Sequence, residues 1–275
     1  MRVGVILAGG ESRRFQGNKL IVEIDGSPVI KRVYNAIKDY VDITYISIKD
    51  EDRYEELSSV FHGIDVKYIY DYKELDGGPY VGIITSLDLI EADEFIIVPG
   101  DTPWIKGIFF NKWLKYIDEC RPIASSVIWG NGMIDSLFLY VEKRRIRSII
   151  KLLYLLRKSG RATDILRAAP YTYLVNAYKV VDNPLWLAHL NTREDSISPS
   201  PRNPLKGVVK NDIHIKWNGL SSIPFLNALD KINLGEYTEA VSILLDEARK
   251  YNEYNIMHLI DHVARDICDV VNKMI

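Results

Sequence analysis

Arg2-Val3-Gly4-Val5-Ile6-Leu7-Ala8-Gly9-Gly10-Glu11-Ser12-Arg13-Arg14-Phe15-Gln16-Gly17-Asn18-Lys19 lies at the start of the sequence. An apolar, β-branched run of strand length ends abruptly at a glycine pair, and two arginines and a lysine follow within one loop. Glycines let successive backbone N–H groups turn toward an anion with no side chain in the way. Arg13 and Arg14 add planar forks and Lys19 a point charge, the two chemistries that suit phosphate. The loop therefore reads as a polyphosphate holder at the end of a first strand. Its spacing fits neither the Walker P-loop nor the G-x-G-x-x-G dinucleotide fingerprint.

Working outward, apolar runs of strand length recur at Ile43–Ile48, Val66–Tyr70, Phe95–Val98 and Ile123–Ile128. Amphipathic stretches separate them at Val29–Tyr40, Asp52–Val60, Tyr80–Ile90 and Ile108–Asp118. Strand and helix in alternation predict an α/β fold, a mostly parallel sheet with helices on both faces. Right-handed crossovers would then gather the strand-end loops at one edge, where open α/β sheets bind ligands. Ser136–Val141 reads as another strand, Glu142–Lys158 as a basic helix and Tyr171–Ala177 as extended. Pro199, Pro201 and Pro204 interrupt both helix and ladder, so residues 197–220 are read as a linker after a domain spanning 1–196. Residues 221–275 show apolar residues at helical spacing, with five basic and nine acidic side chains. This small, acidic, all-α segment is expected to dock on the main domain, to dimerise, or to recruit a partner protein, because so small a core is marginal alone.

Composition narrows the function. Among 275 residues, 35 basic and 37 acidic side chains leave a net charge of −2, which argues against a general nucleic-acid binder. No uncharged apolar run reaches the roughly 18 residues of a membrane span, and the first strand turns polar too soon for a secretion signal. Cys120 and Cys268 are the only cysteines, which excludes a disulfide scaffold and an all-cysteine metal site. A cytoplasmic soluble protein is expected.

Two further segments place carboxylates at strand ends. Asp71 leads into Asp71-Tyr72-Lys73-Glu74-Leu75-Asp76-Gly77-Gly78-Pro79-Tyr80-Val81-Gly82, and Asp101 sits in Ile96-Ile97-Val98-Pro99-Gly100-Asp101-Thr102-Pro103-Trp104. Alone, Asp71 reads as a turn residue and Asp101 as a helix cap. Together with the opening loop they resemble the molybdenum cofactor guanylyltransferase-like nucleotidyltransferases. Leu7, Ala8, Gly9, Gly10, Ser12, Arg14 and Lys19 fall on the L-A-G-G-x-S-x-R-M-G-x-x-K signature of that family, with Phe15 and Gln16 departing from it. The second segment is similar to the family's G-P-L-x-G loop, with an aspartate seven residues before the glycine, and the third to its strand-end aspartate motif. His189-Leu190-Asn191-Thr192-Arg193-Glu194-Asp195 is similar to the N-x-N-T-P-E-D/E stretch on the family's acceptor side, with His189 and Arg193 as departures. The resemblance covers about residues 1–196.

The resemblance implies a Rossmann-like nucleotidyltransferase that moves a nucleoside monophosphate, GMP from GTP above all, onto the phosphate of molybdopterin or its molybdenum form. It implies that Leu7, Ala8, Gly9, Gly10, Ser12, Asp71 and Gly78 bind nucleotide, with Asp71 and Gly78 at base and ribose. It further implies that Asp101 holds Mg²⁺, that Arg14 and Lys19 offset phosphate charge, and that Asn191 lies toward the acceptor. The alternatives are a CTP-dependent or sugar-phosphate nucleotidyltransferase, and a regulatory protein that binds nucleotide without turning it over. Outside the motifs, His258, His262 and Asp266 have a spacing that could ligate a metal, though a solvated helix face is the plainer reading. The basic helix is either a solvated face or a steering surface for anions.

Overall fold

The computed structural model describes residues 1–10, 15 and 17–274. Side-chain alternation along the first strand divides the core. In β1 (Arg2–Leu7), Val3 and Val5 point to one face of the sheet and Ile6 to the other. A hairpin of β2 (Glu23–Ile24) and β3 (Ser27–Pro28) precedes α1 (Val29–Ile37), β4 (Ile43–Ile48), α2 (Glu51–Ser58) and β5 (Val66–Tyr70). The chain continues through α3 (Pro79–Leu89), β6 (Glu94–Pro99), α4 (Gly107–Cys120), β7 (Ala124–Ile128), β8 (Leu139–Glu142) and α5 (Lys143–Leu156). After α6 (Thr163–Ala168), β9 (Tyr171–Asn176), α7 (Ala177–Val180), α8 (Arg193–Ile197) and β10 (Ile213–Lys216), it closes with α9 (Pro224–Asn233), α10 (Tyr237–Glu253) and α11 (Met257–Val271).

Eight strands form one sheet in the order β10-β9-β7-β8-β6-β1-β4-β5. β6, β1, β4 and β5 are mutually parallel, and β7 is parallel to β9. β8 runs antiparallel between β6 and β7, and β10 antiparallel at the edge. On one face Ile6, Ile46, Ile96 and Val98 pack with Val33 and Ile37 of α1 and with Phe109, Phe110 and Trp113 of α4. On the other, Val3, Val5, Phe95 and Ile97 pack with α3, α5 and α6.

Two sequence expectations need correction. The stretch read as a linker contains β10, whose Ile213 and Ile215 point inward while His214 and Lys216 face solvent. Its alternation is only four residues long and begins nine residues after the last of the clustered prolines, so the Pro-rich stretch masked it. The second concerns His258, His262 and Asp266, which do not form a solvated face. Asp266 is 3% exposed, His262 Nδ1 is 2.6 Å from Thr163 Oγ1, and His258 Nδ1 is 2.9 Å from the Ile134 carbonyl. This side of α11 is the one that meets the α/β domain. Phe225, Leu229, Leu244, Tyr251, Leu259 and Val263 of the last three helices belong to the same buried cluster as Val3, Phe95 and Ile165. Among the described residues no helix is long and apolar enough to cross a membrane.

Charge supports that docking. Arg167, wholly buried, donates to both Glu247 carboxylate oxygens at 2.8 Å and to Asp266 Oδ2 at 2.5 Å, with Asp164 Oδ1 at 3.5 Å. Tyr251 Oη donates to the same Glu247 at 2.9 Å, and the Arg167 guanidinium lies 4.0 Å from the Phe225 ring centre. A buried guanidinium is tolerable only when its N–H groups are met in this way. The basic helix α5 spends its charge elsewhere: Arg144 pairs with Asp93 and Arg147 with Glu91, beside the start of β6. That is the edge opposite the strand ends described next.

Candidate functional site

Four parallel strands end side by side, and each delivers functional groups to the same edge. β1 gives Ala8, Gly9 and Gly10; β4 gives Lys49 and Asp50; β5 gives Asp71; β6 gives Gly100 and Asp101. The ladder carries on past the strands, through Ala8 N–H to Ser47 O (2.8 Å), Asp71 N–H to Ile48 O (2.8 Å) and Gly100 N–H to Leu7 O (3.0 Å). These bonds fix the loop starts relative to one another before any ligand arrives.

Between them lies a cleft of about 880 Å³ lined by Gly9, Gly10, Lys19, Asp71, Gly78 and Asn191, together with Lys49, Asp50, Tyr72 and Lys73. A smaller cavity of about 200 Å³ adjoins it and takes in Leu7, Ala8 and Asp101. Leu7, Ala8, Gly9, Gly10, Lys19, Asp71, Gly78, Asp101 and Asn191 are thus brought together. Ser12 and Arg14 lie outside the described residues.

At one end of the cleft Lys19 Nζ pairs with Asp101 Oδ2. The other oxygen of Asp101 is 2.9 Å from His189 Nδ1, whose Nε2 is 3.6 Å from Asp135 Oδ1. Leu190 N–H donates to the Asp101 carbonyl at 2.8 Å and Asn191 Nδ2 to the His189 carbonyl at 3.0 Å, so residues 189–191 are tied to the end of β6. Burial alone would lift the Asp101 carboxyl, but the charge of His189 and then of Lys19 outweighs it and holds that carboxyl well below the usual range. Burial likewise opposes the His189 cation, and the carboxylates of Asp101 and then Asp135 lift it to about 10. Where the family resemblance has an asparagine, this site carries a cation held between two carboxylates.

At the other end, Asp71 Oδ1 accepts a 2.5 Å hydrogen bond from Ser47 Oγ. Burial pushes the Asp71 carboxyl up to about 6, against the lowering effect of that bond. Gly9 leaves room for the Asp71 carboxylate, since a Cβ there would stand 2.6 Å from Asp71 Oδ2 and the carboxylate would have to shift. Gly9 thus lets the loop after β1 pass directly against the carboxylate of Asp71 that follows β5. Sequence reasoning missed Ser47 and Asp135, and also Arg53, whose Nη2 donates to the Gly10 carbonyl at 2.8 Å. Ser47 and Arg53 act across a strand and a helix from the residues they hold, at no fixed sequence offset.

The carboxyl-edge cleft fits a hard cation in its donor chemistry. Asp101 is a mostly buried, ionised oxygen donor whose two oxygens meet Lys19 and His189, so Mg²⁺ would take one of its remaining lone pairs, with phosphate oxygens and water completing the shell. Among the described residues no three His, Cys, Asp or Glu side chains are grouped to hold a metal by themselves, so the ion's other ligands would come from nucleotide and water.

A parallel sheet with a glycine turn, a lysine and two strand-end carboxylates around one cleft defines a nucleotide-handling α/β enzyme, and relatives make the class specific. The chain belongs to the family of the MobA-like NTP transferase domain, whose model matches residues 4–172, and it is a nucleotidyltransferase. It is 30% identical over 202 residues to a Bacillus cytotoxicus protein named "Probable molybdenum cofactor guanylyltransferase", covering 70% of this chain and 92% of that protein. A protein of the same name from Thermococcus sibiricus is 33% identical over 173 residues, covering 59% of this chain and 82% of the relative. The fold is shared with molybdopterin-guanine dinucleotide biosynthesis protein A from Archaeoglobus fulgidus, at a TM-score of 0.52 and 18% identity, over 72% of this chain and 96% of the other. A nucleotidyl transferase from Methanothermobacter superposes with a TM-score of 0.55, at 18% identity, over 72% of this chain and 94% of the other.

Proposed function

We propose that this nucleotidyltransferase moves GMP from GTP onto the phosphate of molybdopterin or its molybdenum form. An acceptor phosphate oxygen attacks the α-phosphorus and forms a new P–O bond. The bond between the α-phosphorus and the oxygen bridging to the β-phosphate breaks, and pyrophosphate leaves with that oxygen. No side chain need become a covalent intermediate, because such transfers depend on positioning and charge neutralisation.

The Gly9–Gly10 turn and Arg14 would face the β- and γ-phosphates. Lys19, already against Asp101, offsets charge arriving at the α-phosphoryl group. Asp71 presents two acceptor oxygens to the guanine N–H edge, with Ser47 holding its orientation. Asp101 would hold Mg²⁺ on the nucleotide phosphates, and that ion, when bound, supplies Lewis-acid neutralisation of phosphate charge. Asn191, tied to His189, marks the acceptor end.

The convergence of Gly9, Lys19, Asp71 and Asp101 on one cleft carries the reading. The test is pyrophosphate release from GTP, CTP or UTP in the presence of Mg²⁺ and molybdopterin. Release with GTP alone supports it. Release only with CTP shifts the reading to a cytidylyltransferase, and tight GTP binding with no release in the presence of molybdopterin makes the protein a nucleotide-dependent regulator.

A further inference from the structure

The last three helices lie beyond the matched family domain, yet the segments that α11 bonds to lead to the loop after Asp71 on one side of the nucleotide cleft and to Asp135, behind His189, on the other. On the base side, Asp76 N–H donates to the Lys158 carbonyl at 2.8 Å and Gly160 N–H to the Asp76 carbonyl at 3.3 Å, a short parallel bridge between the loop after β5 and the segment after α5. The two backbones touch so closely that Gly77, at φ +125°, has no room for a Cβ against the Gly160 carbonyl. That segment is in turn fastened to α11. Arg157 Nη2 and Arg161 Nη1 both donate to Asp266 Oδ1, at 2.8 and 2.6 Å, while Arg157 Nε and Arg161 N–H donate to Asp164 Oδ2 at 3.0 and 2.9 Å.

On the other bank, His258 N–H donates to the Gly132 carbonyl at 3.2 Å, and the His258 imidazole sits 2.9 Å from the Ile134 carbonyl. The next residue is Asp135, which faces His189 beside Asp101. One helix therefore reaches the loop that follows Asp71 through Asp266, and the loop of Asp135 through His258.

We propose that α11 is a positioning element of the nucleotide cleft, with Asp266, Arg157 and Arg161 as positioning residues that hold the loop after Asp71 in its binding conformation. The proposal rests on the reading of residues 71–78 as the nucleotide's base loop. A loop freed from this bridge spends part of its time in other conformations, and nucleotide affinity falls by the fraction lost. None of these residues touches the nucleotide. Their effect passes through the backbone of Asp76 and Gly77.

The test compares the full-length wild type with Arg161→Gln and Arg161→Lys. Arg161 is the partner of choice because its side chain is partly exposed and Asp266 keeps two other guanidiniums when it is removed. GTP with Mg²⁺ is the probe in calorimetric titration, beside thermal melting and amide hydrogen exchange. Arg161→Gln is expected to raise the GTP Kd at least about fivefold, and to speed exchange of the Asp76 amide by a similar factor, in a protein that still melts cooperatively. Arg161→Lys, which keeps the charge, restores most of both. A merely structural role would lower the Tm and leave Kd and Asp76 exchange unchanged, and that result overturns the proposal. If the wild type binds no GTP, the proposed function fails on its own. Asp76 exchange then still decides the coupling, faster in Arg161→Gln if α11 holds the loop and unchanged if it does not.

Discussion

Lowering the pH from about 7.5 to about 5 should weaken GTP binding roughly tenfold through a single carboxylate. Asp71 titrates at about 6 because burial disfavours its charge more than the Ser47 hydrogen bond favours it. With that value the carboxylate is about 97% ionised at pH 7.5 and about 9% at pH 5, a ratio near eleven. Guanine offers N–H donors, and only the ionised form accepts on both oxygens. The sign follows from the direction of the shift. A folded value above the unfolded one means the free protein gains stability as pH falls through about 6, whereas the nucleotide complex, which needs the charged form, loses affinity in that same window. Asp71→Asn isolates the effect from titration of the nucleotide itself. The substitution removes a charged acceptor and faces one donor with another, costing about 1.5–3 kcal/mol, or roughly ten- to 150-fold in Kd at pH 7.5. Titration calorimetry from pH 5 to 8, in buffers of different ionisation enthalpy, reads both the affinity and the proton released on binding near pH 6. A wild type whose GTP affinity tracks that of Asp71→Asn at a constant ratio across the range would refute this account of the base site.

Three more outcomes follow from the geometry. Lys19→Ala and Asp101→Ala should each lower kcat by about 10²–10³, as expected for a lost charge-stabilising group, and near-normal turnover in either would remove that residue from the phosphate site. Gly9→Ala should push the Asp71 carboxylate out of place and raise the GTP Kd about tenfold or more, with circular dichroism and Tm close to wild type. Glu247→Gln removes one of the carboxylate charges that offset the buried Arg167 guanidinium, leaving Asp266 and Asp164, and should lower unfolding stability by about 3 kcal/mol in urea titration, and a loss under 1 kcal/mol would show that the network rearranges around the gap.

Much of the strand-end edge that lines the cleft was legible because it is built from backbone chemistry and local spacing. A strand that stops at Gly9-Gly10, and aspartates that follow strands at Asp71 and Asp101, mark themselves through turn residues and apolar runs a few positions away. The four-residue alternation of β10 was not legible, because so short a pattern carries little signal beside three nearby prolines. His189 was visible only as a departure from a motif. Its place between Asp101 and Asp135 depends on contacts spanning 88 and 54 positions along the chain. His258, His262 and Asp266 stood at a spacing that suits a metal or, more plainly, a solvated face, and only what lies opposite them shows that they are packed against the α/β domain.

The sequence by itself determined the alternating strands and helices, the phosphate-suited turn and the carboxylates at strand ends, since each follows from hydrophobic period and turn chemistry within a dozen or so residues. Tertiary structure decided what those groups face: Lys19 against Asp101, Ser47 beneath Asp71, and Arg167 enclosed by Glu247 and Asp266. Their partners come from distant elements brought together by burial, and burial also sets the charge states. An isolated stretch of chain in water has neither the neighbour nor the low dielectric that makes the neighbour matter.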